Sequence, residues 1–179
     1  MFAYNSNIEQ YKIISSIVQA TNCQKYLELG ISTGINMKEV SNYCSDCTGV
    51  DVKDLREFKD FKFCQMSTDD FFKINQDIFD VIFIDADHSF KQVQRDFINS
   101  LRYLNTFGII FLHDTDPVDG YATKELCGDS YKIIDWIDKK YGTLMNIITI
   151  PVSVTGLSIV NRKNDRRLYQ HKQRILWLI

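Results

Sequence analysis

Residues Phe79–Phe90 read FDVIFIDADHSF. Phe79, Val81, Ile82, Phe83 and Ile84 make a near-continuous apolar run, the pattern of a strand buried on both faces rather than on one. The run stops abruptly at Asp85, Asp87 and His88. Ser89 then opens S-F-K-Q, a capping-box pattern with Gln92, and Phe90, Val93, Phe97, Leu101 and Leu104 recur at steps of three and four. A doubly buried strand followed at once by an amphipathic helix predicts a parallel sheet with helices on both faces. In such sheets ligands bind beyond the carboxyl ends of the strands, which is where these two aspartates and the histidine fall.

The same alternation extends in both directions. Ile8, Tyr11, Ile14, Ile17 and Val18 keep helical spacing, so the first twenty or so residues predict an amphipathic helix. KYLELG is a short strand stopped by Gly30, and STGINMKEVSNYC a helix with Ile35, Val40 and Tyr43 as core candidates. CTGVDV and FKFCQM predict two more strands, STDDFFKI a serine- or threonine-capped helix, and FGIIFLHD the strand after Leu104. Ile133, Ile134, Ile137 and Tyr141 mark another helix, and LMNIITI and TGLSIVN a hairpin turning around Pro151 to Gly156. With right-handed crossovers this is a doubly wound, mostly parallel seven-stranded α/β sheet, Rossmann-like, with a C-terminal antiparallel hairpin. Two prolines and no low-complexity linker predict one domain over 1–179: an N-terminal helix (1–22), a sheet core (23–162) and a C-terminal tail (163–179).

Composition narrows the class. The 179 residues are 45% hydrophobic and 25% charged, enough for one substantial core. No apolar window is long enough for a membrane span and the N-terminus has no signal-peptide core, so the expectation is a cytoplasmic protein without a membrane partner. Five scattered cysteines predict reduced thiols, and the C-S-D-C of Cys44 and Cys47 lacks a second ligand pair for zinc. Net charge is −2, but six basic residues against Asp165 make the stretch from Asn161 positive. Because that tail ends in ILWLI, packing on the body or in a homodimer is favoured over nucleic acid.

The candidate site follows from the strand ends. Glu28, Gly30 and Gly34 frame a strand-to-helix turn where a ligand can touch backbone and an anionic group can meet a helix N-terminus. Ser32 stands where the dinucleotide fingerprint G-x-G-x-x-G places its second glycine, and Glu28 puts a negative charge beside that space. A zwitterionic ligand therefore fits better than a pyrophosphate. Asp51, about twenty residues on, ends the second strand where an acid can accept from two ribose hydroxyls, although an aspartate there also fits as a helix cap. Asp87 and His88 likewise fit either as caps or as site residues, and His113 either as a strand-end histidine or as part of the site.

Taken together, ELGISTG, GVDV, QMSTDDFF, VIFIDADHSF and GIIFLHDT resemble successive motifs of the class I S-adenosylmethionine-dependent methyltransferases, closest to the small-molecule O-methyltransferase-like branch. The resemblance covers about Tyr26 to Asp114. It implies that Glu28, Gly30, Ser32 and Gly34 surround the methionine part of the cofactor, that Asp51 holds the ribose, and that Met66 and Ser67 edge the adenine. Asp85 would lie near the sulfonium and the acceptor. In metal-dependent relatives an aspartate after strand four and an Asp-Asn pair after strand five hold a divalent ion such as magnesium. Asp85 and Asp114 match that pattern, and Thr115 stands in place of the asparagine.

The expected activity is methyl transfer to a small polar acceptor, a hydroxyl before a nitrogen. Asp85 and His88 are the catalytic candidates, with His88 as general base. The polar loop Thr115 to Gly128, with Asp116, Asp119, Tyr121 and Lys124, would roof a pocket suited to a sugar-like acceptor. The alternatives are a nicotinamide-dependent oxidoreductase on a similar fold and a non-catalytic nucleoside-binding module.

Overall fold

The computed structural model describes residues 9–55 and 61–163. Helix α1 (Gln10–Ala20) precedes strand β1 (Lys25–Leu29), then α2 (Ile35–Val40), β2 (Asp46–Asp51), β3 (Lys62–Gln65), α3 (Thr68–Ile74) and β4 (Phe79–Ile84). Helix α4 (Phe90–Tyr103) runs directly into β5 (Leu104–His113), followed by α5 (Lys132–Tyr141), β6 (Met145–Ile150) and β7 (Leu157–Arg162). The seven strands lie in the order β3-β2-β1-β4-β5-β7-β6. Strands β1 to β5 pair in parallel, and β7 runs antiparallel to both β5 and β6. The Rossmann-like sheet with its C-terminal hairpin is the architecture that the alternating pattern predicts.

Period-two side chains explain the doubly apolar strands. Leu27, Leu29, Ile82, Ile84, Ile110 and Leu112 turn to one face, where α3, α4 and α5 bury Phe71, Phe97 and Ile137 against them. Tyr26, Val81, Phe83 and Phe111 turn to the other and meet Ile14 and Val18 of α1 and Met37 and Val40 of α2. Cys23, Cys44 and Cys47 are buried on this second face as free thiols, with Cys23 and Cys44 Sγ 3.9 Å apart.

Three details differ from the sequence reading. Helix α2 is only Ile35–Val40, and of its core candidates Val40 is buried while Ile35 and Tyr43 are 57% and 42% exposed. So short a helix offers one inward stripe, which Met37 and Val40 fill, and Ile35 is left lining a cleft. Only half of the capping box forms. Ser89 Oγ accepts from the Gln92 N–H, but the Gln92 amide turns away and donates to Thr68 Oγ1 and Asp96 Oδ1, both at 3.0 Å. Leu104 opens β5 rather than closing α4, and Arg162 donates to the carbonyls of Leu101, Leu104 and Asn105, a cationic cap on the helix end. The tail from residue 164, Ile8 and most of the segment DLREFKD lie outside the described residues.

Phe97 is fully buried and its ring meets Trp136 and Tyr141, joining α4 to α5. Phe97→Ala is expected to lower the unfolding free energy by about 3–5 kcal/mol. Urea unfolding followed by circular dichroism measures it, and a loss under about 1 kcal/mol would show that the α4–α5 layer repacks around the gap.

Candidate active site

The sheet reverses its winding between β1 and β4, and the site is built on that boundary. Beyond the end of β1, Gly30 N–H donates to the Val50 carbonyl on one side, while Asp85 N–H donates to the Leu29 carbonyl on the other, each at 2.8 Å. Gly30 has φ +88, and a Cβ there would collide with the carbonyl of Asp85 and the Cα of Ala86. Glycine is therefore required by conformation and by space alike. Ser32 also adopts a left-handed φ of 50, so the serine takes the conformation a glycine would use. Gly34, φ 73, stands at the N-cap of α2.

Three clefts meet at Gly30. The first, about 400 Å³, is lined by Glu28, Gly30, Ser32, Asn36 and Asp85, with Gln10 of α1 on its rim. The second, about 250 Å³, lies over β2 and β3 and is lined by Asp51, Met66, Ser67, Asp69 and Gln92. The third opens between β4 and β5 and holds Asp85, His88, His113, Asp114 and Tyr121. Every predicted site residue except Gly34 lines one of the three. Asn36, Asp69 and Gln10 carry no sequence signal of their own, Gln92 carries only that of a helix cap, and their place at the clefts is set by tertiary packing.

Glu28 is buried beneath α2 and its Oε2 accepts from Tyr26 Oη at 2.8 Å and Asn36 Nδ2 at 2.5 Å. Burial outweighs both donors and pushes its pKa up to about 8, with the nearby Asp85 charge adding to the rise. Asp51 shows the opposite balance. Burial would raise its pKa, but the backbone N–H groups of Lys53, Ile31 and Ser32, at 2.8, 2.9 and 3.2 Å, hold the carboxyl below the usual range. Asp51 thus stays ionised and pins the glycine turn. In the neighbouring cleft Ser67 caps α3 through the Asp70 N–H.

At the third cleft the two readings of Asp87 and His88 separate. Asp87 Oδ1 accepts from the Ser89 N–H at 2.7 Å, closing the turn into α4. His88 instead enters the crevice. Its Nδ1 contacts the Leu126 carbonyl and lies 3.3 Å from Asp114 Oδ2, which leaves Nε2 facing Asp85 Oδ1 at 3.7 Å.

His113 belongs to the same cluster. Its Nδ1 is 3.0 Å from Asp85 Oδ1 and 2.9 Å from Asp114 Oδ1, and its Nε2 is 2.7 Å from Gln10 Oε1. Although those Nδ1 distances are within ion-pair range, no aligned hydrogen bond forms there and this buried nitrogen has no hydrogen-bond partner. Burial disfavours a charged imidazole, but the two carboxylates outweigh it and push the His113 pKa up to about 10. Asp114 is buried, which alone would raise its pKa, yet His113 holds it below the usual range. Asp114 also has φ +57, a strained backbone for a non-glycine residue at a site. Asp85, His113 and Asp114 each present one ligand atom within 4.8 Å of the others, a grouping able to hold a metal ion.

Residues 27–115 match the family described as Methyltransferase domain, Methyltransf_24. No curated protein matches the sequence. Among solved structures the chain is similar to an O-methyltransferase from Bacillus cereus in complex with SAH, at 14% identity, covering 89% of this chain and 84% of that one, with a TM-score of 0.67. It is similar to the O-methyltransferase TomG from Streptomyces achromogenes, in complex with SAM, at 11% identity over 89% and 83% of the chains, TM-score 0.66. The N-methyltransferase NodS from Bradyrhizobium japonicum WM9 follows at 11% identity over 87% and 95%, TM-score 0.62. At these identities the structures share the fold, and the domain match supplies the class. That class is a methyltransferase domain, matched over residues 27–115.

The raised Glu28 carboxyl makes stability depend on pH. A folded-state pKa of about 8 against an ordinary 4.5 means that the stabilisation is full below pH 4.5 and is lost as pH rises toward and through 8. Glu28→Gln is expected to flatten that decline. Urea midpoints of the two proteins from pH 5 to 8.5 test this, and parallel curves would show that Glu28 is ionised throughout.

Proposed function

We propose that this protein transfers a methyl group from S-adenosylmethionine to a small polar acceptor, a hydroxyl oxygen before a nitrogen. The observation that carries the reading is the meeting of three chemically distinct clefts at Gly30. A cofactor with an amino-acid arm and a nucleoside arm, joined at the reacting centre, has that shape. The methionine arm would occupy the cleft of Glu28, Gly30, Ser32 and Gly34, and its ammonium would draw Glu28 into the ionised form. Asp51 would accept from the ribose hydroxyls with lone pairs left over from its three backbone donors, since a carboxylate has about four such sites. Met66 and Ser67 would edge the adenine, and the sulfonium would stand over Gly30 facing Asp85. The methyltransferase domain match sets aside the nicotinamide-dependent alternative.

In the reaction an acceptor oxygen attacks the methyl carbon, the carbon–sulfur bond breaks, and its electron pair leaves on the thioether sulfur. Alignment of the two partners supplies much of the barrier reduction. His88 is placed to take the acceptor proton at Nε2, because the Leu126 carbonyl fixes the donor at Nδ1. The donor set also fits a divalent ion, such as magnesium, held by Asp85 and Asp114. When bound, such an ion would make a hydroxyl on it more acidic. The polar roof, with Tyr121 and Lys124 exposed, suits a sugar-like acceptor and offers no basic face for nucleic acid. Among the described residues no helix is long and apolar enough to cross a membrane.

The whole chain is proposed as one domain, with the tail from residue 163 as a dimer contact. Removing residues after Asp165 is then expected to lower the mass seen in light scattering, and an unchanged mass would exclude that role.

The cofactor reading is tested by calorimetry with S-adenosylhomocysteine. Asp51→Ala is expected to weaken binding by about 10–100-fold, equivalent to two lost hydrogen bonds. Asp85→Ala is expected to keep that binding and lose turnover on an acceptor panel. Failure of the unaltered protein to bind S-adenosylhomocysteine would overturn the reading.

A further inference from the structure

We propose that His113 Nδ1 completes, with Asp85 and Asp114, a three-donor site that selects a borderline divalent ion such as cobalt or zinc over magnesium. This rests on the reading of the same crevice as the place of methyl transfer. The pattern read from the sequence supplies two carboxylates and puts Thr115 where an asparagine would give the third donor. Thr115 is buried, and its Oγ1 accepts from Ser158 Oγ of β7 at 2.8 Å, so its hydroxyl is committed to the sheet. The third donor must come from elsewhere.

His113 meets the requirement on three independent grounds. First, the spacing is that of neighbouring ligands: Nδ1 stands 3.0 and 2.9 Å from one oxygen of each aspartate. Adjacent donors around an octahedral ion with bonds of about 2.1 Å lie about 3 Å apart. Second, the orientation is that of a ligand. Nε2 reaches Gln10 Oε1 at 2.7 Å and Thr155 Oγ1 at 3.2 Å, so a proton is held on Nε2 and Nδ1 is the nitrogen turned to the carboxylates, free to exchange its own proton for an ion. A histidine that binds a metal through one nitrogen commonly donates from the other to such a partner. Third, the buried Nδ1 has no hydrogen-bond partner. Two carboxylates and Nδ1 can share this space only around a cation, either a proton on Nδ1 or, in its place, a divalent ion.

The donor set decides which cation. Carboxylates alone suit magnesium, calcium and manganese, whereas an imidazole nitrogen beside them shifts preference along the divalent series toward cobalt and zinc. His88 is the competing nitrogen, since it stands 3.3 Å from Asp114 Oδ2 and 3.7 Å from Asp85 Oδ1. Its Nδ1 is engaged by the Leu126 carbonyl, however, and its side chain is 40% exposed against 15% for His113.

The test uses the full chain with Mn2+, Co2+ and Mg2+ as probes. Electron spin echo spectroscopy on bound Mn2+ is expected to show a directly coordinated imidazole nitrogen in the unaltered protein and in His88→Ala, and none in His113→Ala. Calorimetry is expected to give Co2+ at least about tenfold tighter than Mg2+ in the unaltered protein, with that ratio collapsing in His113→Ala. Mn2+ bound without nitrogen coupling, coupling that follows His88 instead, or no Mn2+ binding at all would each overturn the proposal. The unaltered protein needs no variant to fold for the first of these readings. Titration with S-adenosylhomocysteine keeps the two readings apart, because its binding can persist when ion binding fails and fail when ion binding persists.

Discussion

The closest constraint in the molecule is the approach of two backbones where β1 and β4 diverge. The Asp85 carbonyl and the Ala86 Cα occupy the space that a side chain on Gly30 would need. Everything at the site is referred to that contact. On one side the turn after Gly30 is drawn toward β2 by Asp51, which accepts from Ile31 and Ser32. On the other, Asp85 is held by its N–H to the Leu29 carbonyl, so its side chain projects from a fixed frame. Because parallel strands on either side of this gap carry their helices to opposite faces, the crevice is a product of topology before any side chain is considered.

The electrostatics follow from that frame. Glu28, Asp85 and Asp114 line neighbouring clefts that meet at Gly30, and burial has a different outcome for Glu28 than for Asp114. Glu28 is the most deeply buried and tends toward the neutral form. Asp114 is buried as well, but His113, with smaller help from His88 and Cys127, holds its carboxyl below the usual range. Such a crevice attracts cationic groups, and the proposed cofactor would bring two: an ammonium for the Glu28 side and a sulfonium for the Asp85 side. Desolvating three acids is costly when they are unpaired, so the buried histidine and the incoming charges are needed together.

Much of this was legible in the sequence because period and punctuation are local. FDVIFID could be read as a doubly buried strand from seven residues, and the fold followed from repeating that reading. Gly30, Asp51 and Asp85 were legible because each ends a strand. What could not be read was set by contacts across the sheet. Gln92 satisfies a capping-box pattern in sequence, yet its amide finds Thr68 of α3 and the buried Asp96 one turn along its own helix. Ile35 is read with Val40 as a core candidate and still faces a cleft, because five residues of helix put the two on different sides of α2. His113 is ambiguous as a strand-end residue, and only the arrival of Gln10 from α1, 103 residues away, orients its ring.

The roof over the crevice divides into a pinned part and a free part, and this bears on where acceptor choice resides. The Asp129 N–H donates to the His88 carbonyl at 3.1 Å, Asp129 Oδ1 accepts from the Phe90 N–H at 2.7 Å, and Ser130 Oγ donates to the Asp114 carbonyl at 3.0 Å. Gly128, φ +56, lets this segment lie against His88, where a Cβ would meet the histidine backbone. The base of the roof is therefore fastened to the two strand ends that carry His88 and Asp114, and changes there would disturb the reacting groups. Near the start of the loop, the Asp116 and Val118 N–H groups donate to the Thr155 and Val154 carbonyls at 2.9 and 3.0 Å. Between these anchors Tyr121, Lys124, Glu125 and Leu126 stand exposed at the crevice mouth. Substitutions at Tyr121, Lys124 and Glu125 can change the chemistry offered at the crevice mouth without touching the fastened base of the roof, which is the arrangement expected of a scaffold that varies its substrate without varying its reaction.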